Sequence, residues 1–240
     1  MKIKNRIWFY QLFTVFVFIF SCNKEKDIVI VDCDCEPWIV YGSMDDQDGN
    51  TYKTISIGTQ TWMAGNLKTT KYTDGTSIPL VIDETSWSAL STPACCWQNN
   101  DLTYKVTYGV LYNWYAVNTG KLCPAQWHVP SEVEWTTLFS YIGGSDVAGG
   151  KLKEKGTAHW LSPNTGATDE YGFNALPGGD RLSNPDGLFD NLHQMGCWWT
   201  TPTHNEDWNA YWQLYDNSSR VQKSVCQKKC GLSVRCVRDY

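Results

Sequence analysis

The sequence predicts an α+β domain, and three observations carry that reading: a β-hairpin pattern near residue 50, two helical segments in the middle of the chain, and a run of strand patterns after residue 198. Helical and strand segments are segregated along the chain, so a parallel sheet of βαβ units is not expected. A length of 240 residues, 42% of them hydrophobic and 19% charged, suits one globular domain with an extension.

That extension comes first. Lys2, Lys4 and Arg6 precede an apolar run from residue 7 to 20, broken only by Gln11 and Thr14. This is the charge and hydropathy pattern of a secretory signal, and the run is shorter than the roughly 18 residues needed to cross a bilayer. It ends in Ser21-Cys22, which resembles a bacterial lipobox. Residues 1–21 are therefore read as a signal peptide and Cys22 as the lipidation site, anchoring the protein to a membrane through two or three acyl chains. The polar stretch after Cys22 resembles the sorting tract of Bacteroidetes surface lipoproteins, which implies an outer-membrane protein exposed at the cell surface. Residues 22–44 read as a tether and residues 45–240 as the domain.

The hairpin has its turn signal at Asp48-Gly49-Asn50, a β-branched strand over residues 51–57, a second turn at Gly58-Thr59-Gln60 and a return strand over 61–63. Asp46 and Asp48 alone do not make a calcium loop, which needs further ligands and a bidentate Glu. Tyr108, Leu111, Tyr112 and Tyr115 recur at helical spacing and predict a short helix. Ser131-x-x-Glu134 is a capping box opening a helix with Trp135, Leu138, Phe139 and Ile142 on one face, stopped by Gly143-Gly144. A second helix, over 147–154, is weakened by Gly149-Gly150. Residues 156–192 read as an unusually long loop. Strands follow at 198–201, 208–215, 220–225 and 232–237.

From Cys22 onward the chain has 17 Lys and Arg against 25 Asp and Glu, a net charge of −8, which argues against a nucleic-acid partner. Its aromatics are mainly Trp and Tyr, suited to an irregular core or to stacking on a ligand. Along the strand over 208–215, Trp208 and Trp212 are expected inside. Asn209, Tyr211, Gln213 and Tyr215 share the other face and are the candidate contacts for a glycan or envelope polymer. Of the consecutive Trp198 and Trp199, one is expected in the core and the other toward solvent or the loop. His128, His159, His193 and His204 are scattered in loop-like stretches, and no hydrolase, metalloprotease or phosphate-loop motif occurs. The residues thus point to no enzyme, no metal and no cofactor. Cys226 and Cys230 flank a Lys-Lys turn and are expected to pair with each other or with Cys197.

Taken in order, Asp48-Gly49-Asn50-Thr51-Tyr52, Trp62-Met63-Ala64-Gly65-Asn66-Leu67, Tyr108-Gly109-x-Leu111-Tyr112-Asn113-Trp114, Cys123-Pro124-x-x-Trp127-His128-Val129-Pro130, Leu176-Pro177-Gly178-Gly179 and Ser233-Val234-Arg235-Cys236-Val237 resemble the Fibrobacter succinogenes major paralogous domain. That family is similar to the C-type lectin-like fold and, more distantly, to formylglycine-generating enzymes. The resemblance implies two helices, small antiparallel sheets, adjacent termini, a long irregular loop region and a Cys123–Cys236 disulfide. It brings no established activity. The expected function is a non-enzymatic lipoprotein whose domain mediates binding or attachment at the cell envelope. Two alternatives follow from the relatives. One is a calcium-dependent glycan-binding lectin, suggested by Asn184-Pro185-Asp186 and Trp208-Asn209, although Ala210 stands where a carboxylate ligand is expected. The other is a copper-dependent oxidase using Cys226 and Cys230, whose spacing is one residue short of the enzymes' own.

Overall fold

The structure, a computed structural model, describes residues 39–183, 186–202 and 204–239. The stretch read as a signal peptide, Cys22 and most of the stretch read as a tether lie outside the described residues, as do Asn184 and Pro185. Among the described residues no helix is long and apolar enough to cross a membrane.

The chain opens with strands β1 (Gly42–Asp45), β2 (Thr51–Ile57) and β3 (Gln60–Met63), so that β1 takes in residues 42–44 of the stretch read as tether. The β2–β3 hairpin has the predicted turn, with Ile57 opposite Gln60. Helix α1 (Glu84–Ser88) and strand β4 (Cys95–Cys96) follow. The helix expected over 108–115 is replaced by α2 (Leu102–Tyr108), β5 (Leu111–Tyr112) and α3 (Trp114–Val117). Gly109 ends α2 at φ +85°, a conformation open to glycine, and Asn113 starts α3 by accepting from the Ala116 N–H. Tyr108, Leu111 and Tyr112 are buried nonetheless, so the helical spacing marked core residues without marking a helix.

After β6 (Trp127–His128), α4 (Glu132–Tyr141) carries the predicted capping box in full: the Ser131 hydroxyl accepts from the Glu134 N–H, and Glu134 reaches back to the Ser131 N–H. In α5 (Ser145–Leu152) the glycine pair marks close approach. A Cβ on Gly149 would stand 2.7 Å from the Arg220 carbonyl oxygen. The long loop is interrupted by β7 (Asp180–Arg181) and β8 (Phe189–Asp190). Then come β9 (Met195–Trp199), β10 (Trp208–Tyr215), β11 (Val221–Gln227) and β12 (Val237–Arg238).

One sheet has the order β1-β2-β3-β12-β6, which brings the first and last strands of the domain into one layer, and a second has the order β11-β10-β9. Two further antiparallel pairs, β4–β5 and β7–β8, complete a mixed α+β architecture with five α-helices among the described residues, where the resemblance implied two. The β9–β10–β11 sheet divides the core. Met195, Cys197 and Trp199 point into one cluster with Tyr112, Trp114 and Leu232, whereas Trp198 and Leu214 point into another with Trp62, Trp135, Phe139 and Phe173. Trp198 and Trp199 are both fully buried, so neither faces solvent; the sheet has core on both sides, and Trp198 takes the other expected place, in the cluster that includes Trp160 and Phe173 of the long loop.

Four cations are buried in this interior. The Arg181 guanidinium stacks between Trp87 and Phe189 and donates to the carbonyls of Val81, Ile82 and Gly187. Arg235 lies 4.0 Å over Phe173 and donates to Phe173 O, Asn174 O and Asn66 Oδ1. Lys153 sits over Trp160 and donates to Tyr215 O and Ser218 O, and Lys228 over Trp114 donates to Glu206 O. None of the four pairs directly with a carboxylate among the described residues. Aromatic faces and carbonyl dipoles replace the counterion. Burial lowers Arg235 to about 9 and Lys153 to about 8.

Candidate functional site

The face of β10 chosen from sequence is not a free surface. Asn209 is fully buried: its Nδ2 donates to Thr200 O at 2.7 Å and its Oδ1 accepts from the His204 N–H at 2.7 Å. Gln213 is buried, and Tyr211 and Tyr215 are half-buried against the core, with Tyr211 edge-on to Trp199. The assignment is reversed at Trp208, which is 41% exposed. The physical reason is that period-2 alternation cannot separate a solvent face from a core face once a sheet is covered on both sides.

That same face carries cysteines. In the ladder Cys226 lies opposite Asn209 and Cys197 opposite Gln213, and Cys230 reaches the same cluster from the turn after β11. Cys226, Cys230 and Cys197 are all free thiols, so neither pairing expected for Cys226 and Cys230, with each other or with Cys197, is formed. The Cys230 Sγ lies 3.6 Å from the Ser183 hydroxyl, and the Cys197 thiol donates to Gly179 O at 3.3 Å. Asp180, buried beside them, has its carboxyl pushed up to about 6 by desolvation. Hydrogen bonds from Cys226 and Ser183 lower Cys230, whereas burial raises Cys226 and Cys197 well above the usual thiol range. Cys123 and Cys236 are joined as a disulfide across 113 residues, as the resemblance implied. Among the described residues no group of three or more His, Cys, Asp or Glu stands at metal-binding spacing.

The carboxylates of the first turn are spent locally. Asp46 accepts from the N–H groups of Asp48 and Asn50, from Asn50 Nδ2 and from the Tyr52 hydroxyl at 2.5 Å, and Asp48 takes the Thr70 N–H and hydroxyl. They form a hydrogen-bonded turn.

Sequence reasoning missed a cluster of two histidines. His159 and His193, far apart along the chain, both set their rings edge-on to Tyr108, at 5.7 and 5.9 Å. The Nδ1 of His159 lies 2.8 Å from Glu154 Oε1, and the Nδ1 of His193 lies 2.8 Å from the His159 carbonyl. A carbonyl can only accept, so the His193 proton sits on Nδ1. The carboxylate fixes His159 the same way. In the neutral rings this leaves each Nε2 as a lone-pair acceptor; neither Nε2 has a partner among the described residues, and both rings are half-exposed. The Tyr108 hydroxyl lies 3.2 Å from His193 Nδ1 and, since that nitrogen carries the proton, its oxygen can only accept there; burial pushes its pKa up to about 12, so the hydroxyl stays neutral and its own proton is free to be donated elsewhere. Tyr104 lies beside it, ring centroids 6.0 Å apart. Only the motif residues Tyr108 and Pro177-Gly178-Gly179 could have signalled this place: Pro177 O accepts from the His193 N–H and so sets its loop.

A second histidine arrangement lies elsewhere. His128 is held between two carboxylates, Nδ1 at 2.6 Å from Asp239 and Nε2 at 2.7 Å from Glu134. It forms one wall of a cavity of about 220 Å³ that is otherwise lined mainly by Val117, Leu122, Cys123 and Val129.

No curated protein and no solved structure matches the chain. The Fibrobacter succinogenes major domain matches residues 55–238, from within the first hairpin to the last strand, and the chain belongs to that family.

Proposed function

We propose that this chain is an outer-membrane lipoprotein, exposed at the cell surface, whose domain has a C-type lectin-like fold and binds a polyhydroxylated envelope ligand such as a glycan without catalysing a reaction. The observation that carries the binding site is the pair of half-exposed imidazoles of His159 and His193, locked in one tautomer with free Nε2 acceptors beside the Tyr108 hydroxyl. Sugar hydroxyls donate and accept at once, and a few fixed polar groups among aromatic rings are the usual means of orienting such a ligand. The lectin-like fold is supported by the disulfide from just before α4 to the last strand region and by the first and last strands sharing a sheet. Export is supported by the charged-then-apolar leader ending at Cys22.

Two experiments test this. Full-length protein is screened against immobilised glycans and envelope polymers, alongside His159→Ala and His193→Ala. A bound species whose affinity falls more than tenfold in both variants supports the site, and a ligand indifferent to both removes it. Cys22→Ala should move the protein from the detergent-extracted membrane fraction to the soluble one. Unchanged partitioning refutes the anchor.

A further inference from the structure

We propose that Cys230 and Cys226 form a peroxide-oxidisable dithiol, in which Cys230 is the sulfur oxidised and Cys226 the sulfur that resolves it. The geometry comes from three separate segments. Cys226 lies at the end of the edge strand β11 and is the most exposed of the cluster, Cys230 follows the Gln227–Lys228–Lys229 turn, and Ser183 arrives from the loop after β7. The turn is closed by the Cys230 N–H donating to Gln227 O at 2.9 Å, and it returns the chain so that Cys226 and Cys230 pack into the same core cluster. The two sulfurs are not equivalent. The Cys230 thiol donates to the Ser183 hydroxyl oxygen at 3.6 Å, and that hydroxyl can turn to donate to the sulfur once Cys230 is ionised, so a negative charge on Cys230 has a donor in place. Cys226 is a free thiol with no such hydroxyl beside it among the described residues. Asp180, its carboxyl pushed up to about 6 by burial, opposes negative charge in the cluster above that pH and ceases to do so only below it. A hydroperoxide is small enough to reach a sulfur beneath an edge strand where a protein disulfide is not.

The chemistry balances with a hydroperoxide as the only co-reactant. The Cys230 thiolate attacks one peroxide oxygen, the O–O bond breaks, and hydroxide leaves to be protonated to water, giving Cys230 sulfenic acid. Cys226 sulfur then attacks the Cys230 sulfur, the S–O bond breaks, and the thiol proton leaves with the hydroxyl as a second water. Two thiols are oxidised and one peroxide is reduced to two waters. Cys197, tied to Gly179 O, is a bystander in this scheme.

The test uses full-length protein whose Cys226 and Cys230 have been reduced under native conditions, exposed to hydrogen peroxide and then alkylated. Trypsin cuts after Lys228 and Lys229, so the two cysteines fall on different peptides that remain together only through a disulfide. The expected result is a Cys226–Cys230 linked pair that disappears on reduction. In Cys226→Ser, a sulfenic acid trapped by dimedone should accumulate on Cys230, whereas Cys230→Ser should leave Cys226 alkylatable after the same exposure. Both cysteines remaining fully alkylatable, a link to Cys197 instead, or dimedone trapped on Cys226 overturns the assignment. Circular dichroism of each variant confirms that a negative result comes from a folded chain.

Discussion

The arrangement around His128 makes a quantitative prediction about pH. Both ring nitrogens face carboxylate oxygens at 2.6 and 2.7 Å, and a neutral imidazole has only one N–H to give. Both bonds form only with the imidazolium, and the two carboxylates hold the His128 pKa above 6.5 against the opposing effect of burial. A raised histidine pKa stabilises the fold fully below the unfolded value and loses that stabilisation as pH rises through the folded one. Glu134 is mostly buried and is fixed by the Ser131 cap, so its bond contributes about 1 kcal/mol. Asp239 is half-exposed, and screening reduces its share to no more than roughly 0.5 kcal/mol. Between pH 6.5 and 9 the stability specific to His128 should therefore fall by about 1–1.5 kcal/mol. Lys153 acts in the opposite direction over part of this range, because its depressed pKa of about 8 stabilises the fold as pH rises. The quantity to measure is thus the difference between wild type and His128→Asn, from urea unfolding at pH 6.5, 7.5 and 9, with the His128 titration followed by NMR. A difference that stays flat or grows with pH, or an imidazole titrating at or below 6.5, refutes the reasoning.

Three further outcomes follow from the packing. Removing the disulfide by Cys123→Ala with Cys236→Ala should cost about 5 kcal/mol on the chain-entropy relation for a loop of this length, read by denaturant unfolding, and non-reducing peptide mapping of wild type should recover the two cysteines linked. Gly149→Ala should destabilise by roughly 1–3 kcal/mol despite the better helix propensity of alanine, because the new Cβ meets the backbone of residues 219 and 220. Asn209→Ala should cost about 2–3 kcal/mol in the same assay, since it strands the buried Thr200 carbonyl and the His204 N–H.

What could be read from the sequence was what local chemistry decides. The Asp48-Gly49-Asn50 turn, the β2–β3 hairpin, the Ser131–Glu134 cap and the span of β10 each depend on neighbours within a few residues, and each stands where it was expected. The errors arose where distant segments decide. Whether Tyr211 faces water or Trp199 depends on what covers the sheet, which alternation does not encode. Gly149 and Gly150 read as a weak helix because their partners at residues 219, 220 and 166 lie far along the chain. His159 and His193 looked scattered because the loop between them has no period, and only its return past Tyr108 brings them together. The thiols were nearer to legible: the Lys-Lys turn between Cys226 and Cys230 was plain, and the ladder added Cys197.

The buried cations bear on how such a domain can diversify. Arg181, Arg235, Lys153 and Lys228 grip carbonyl oxygens of residues 81, 82, 173, 174, 187, 206, 215 and 218, and every amino acid supplies a carbonyl. The struts therefore constrain where each loop runs while leaving most of its side chains free to change. Loops held by their own ladders or by side-chain pairs would lose their shape as they drifted. Here the geometry is vested in four long cations and the aromatic rings beneath them, so the surface above can be rewritten residue by residue on a path that stays the same.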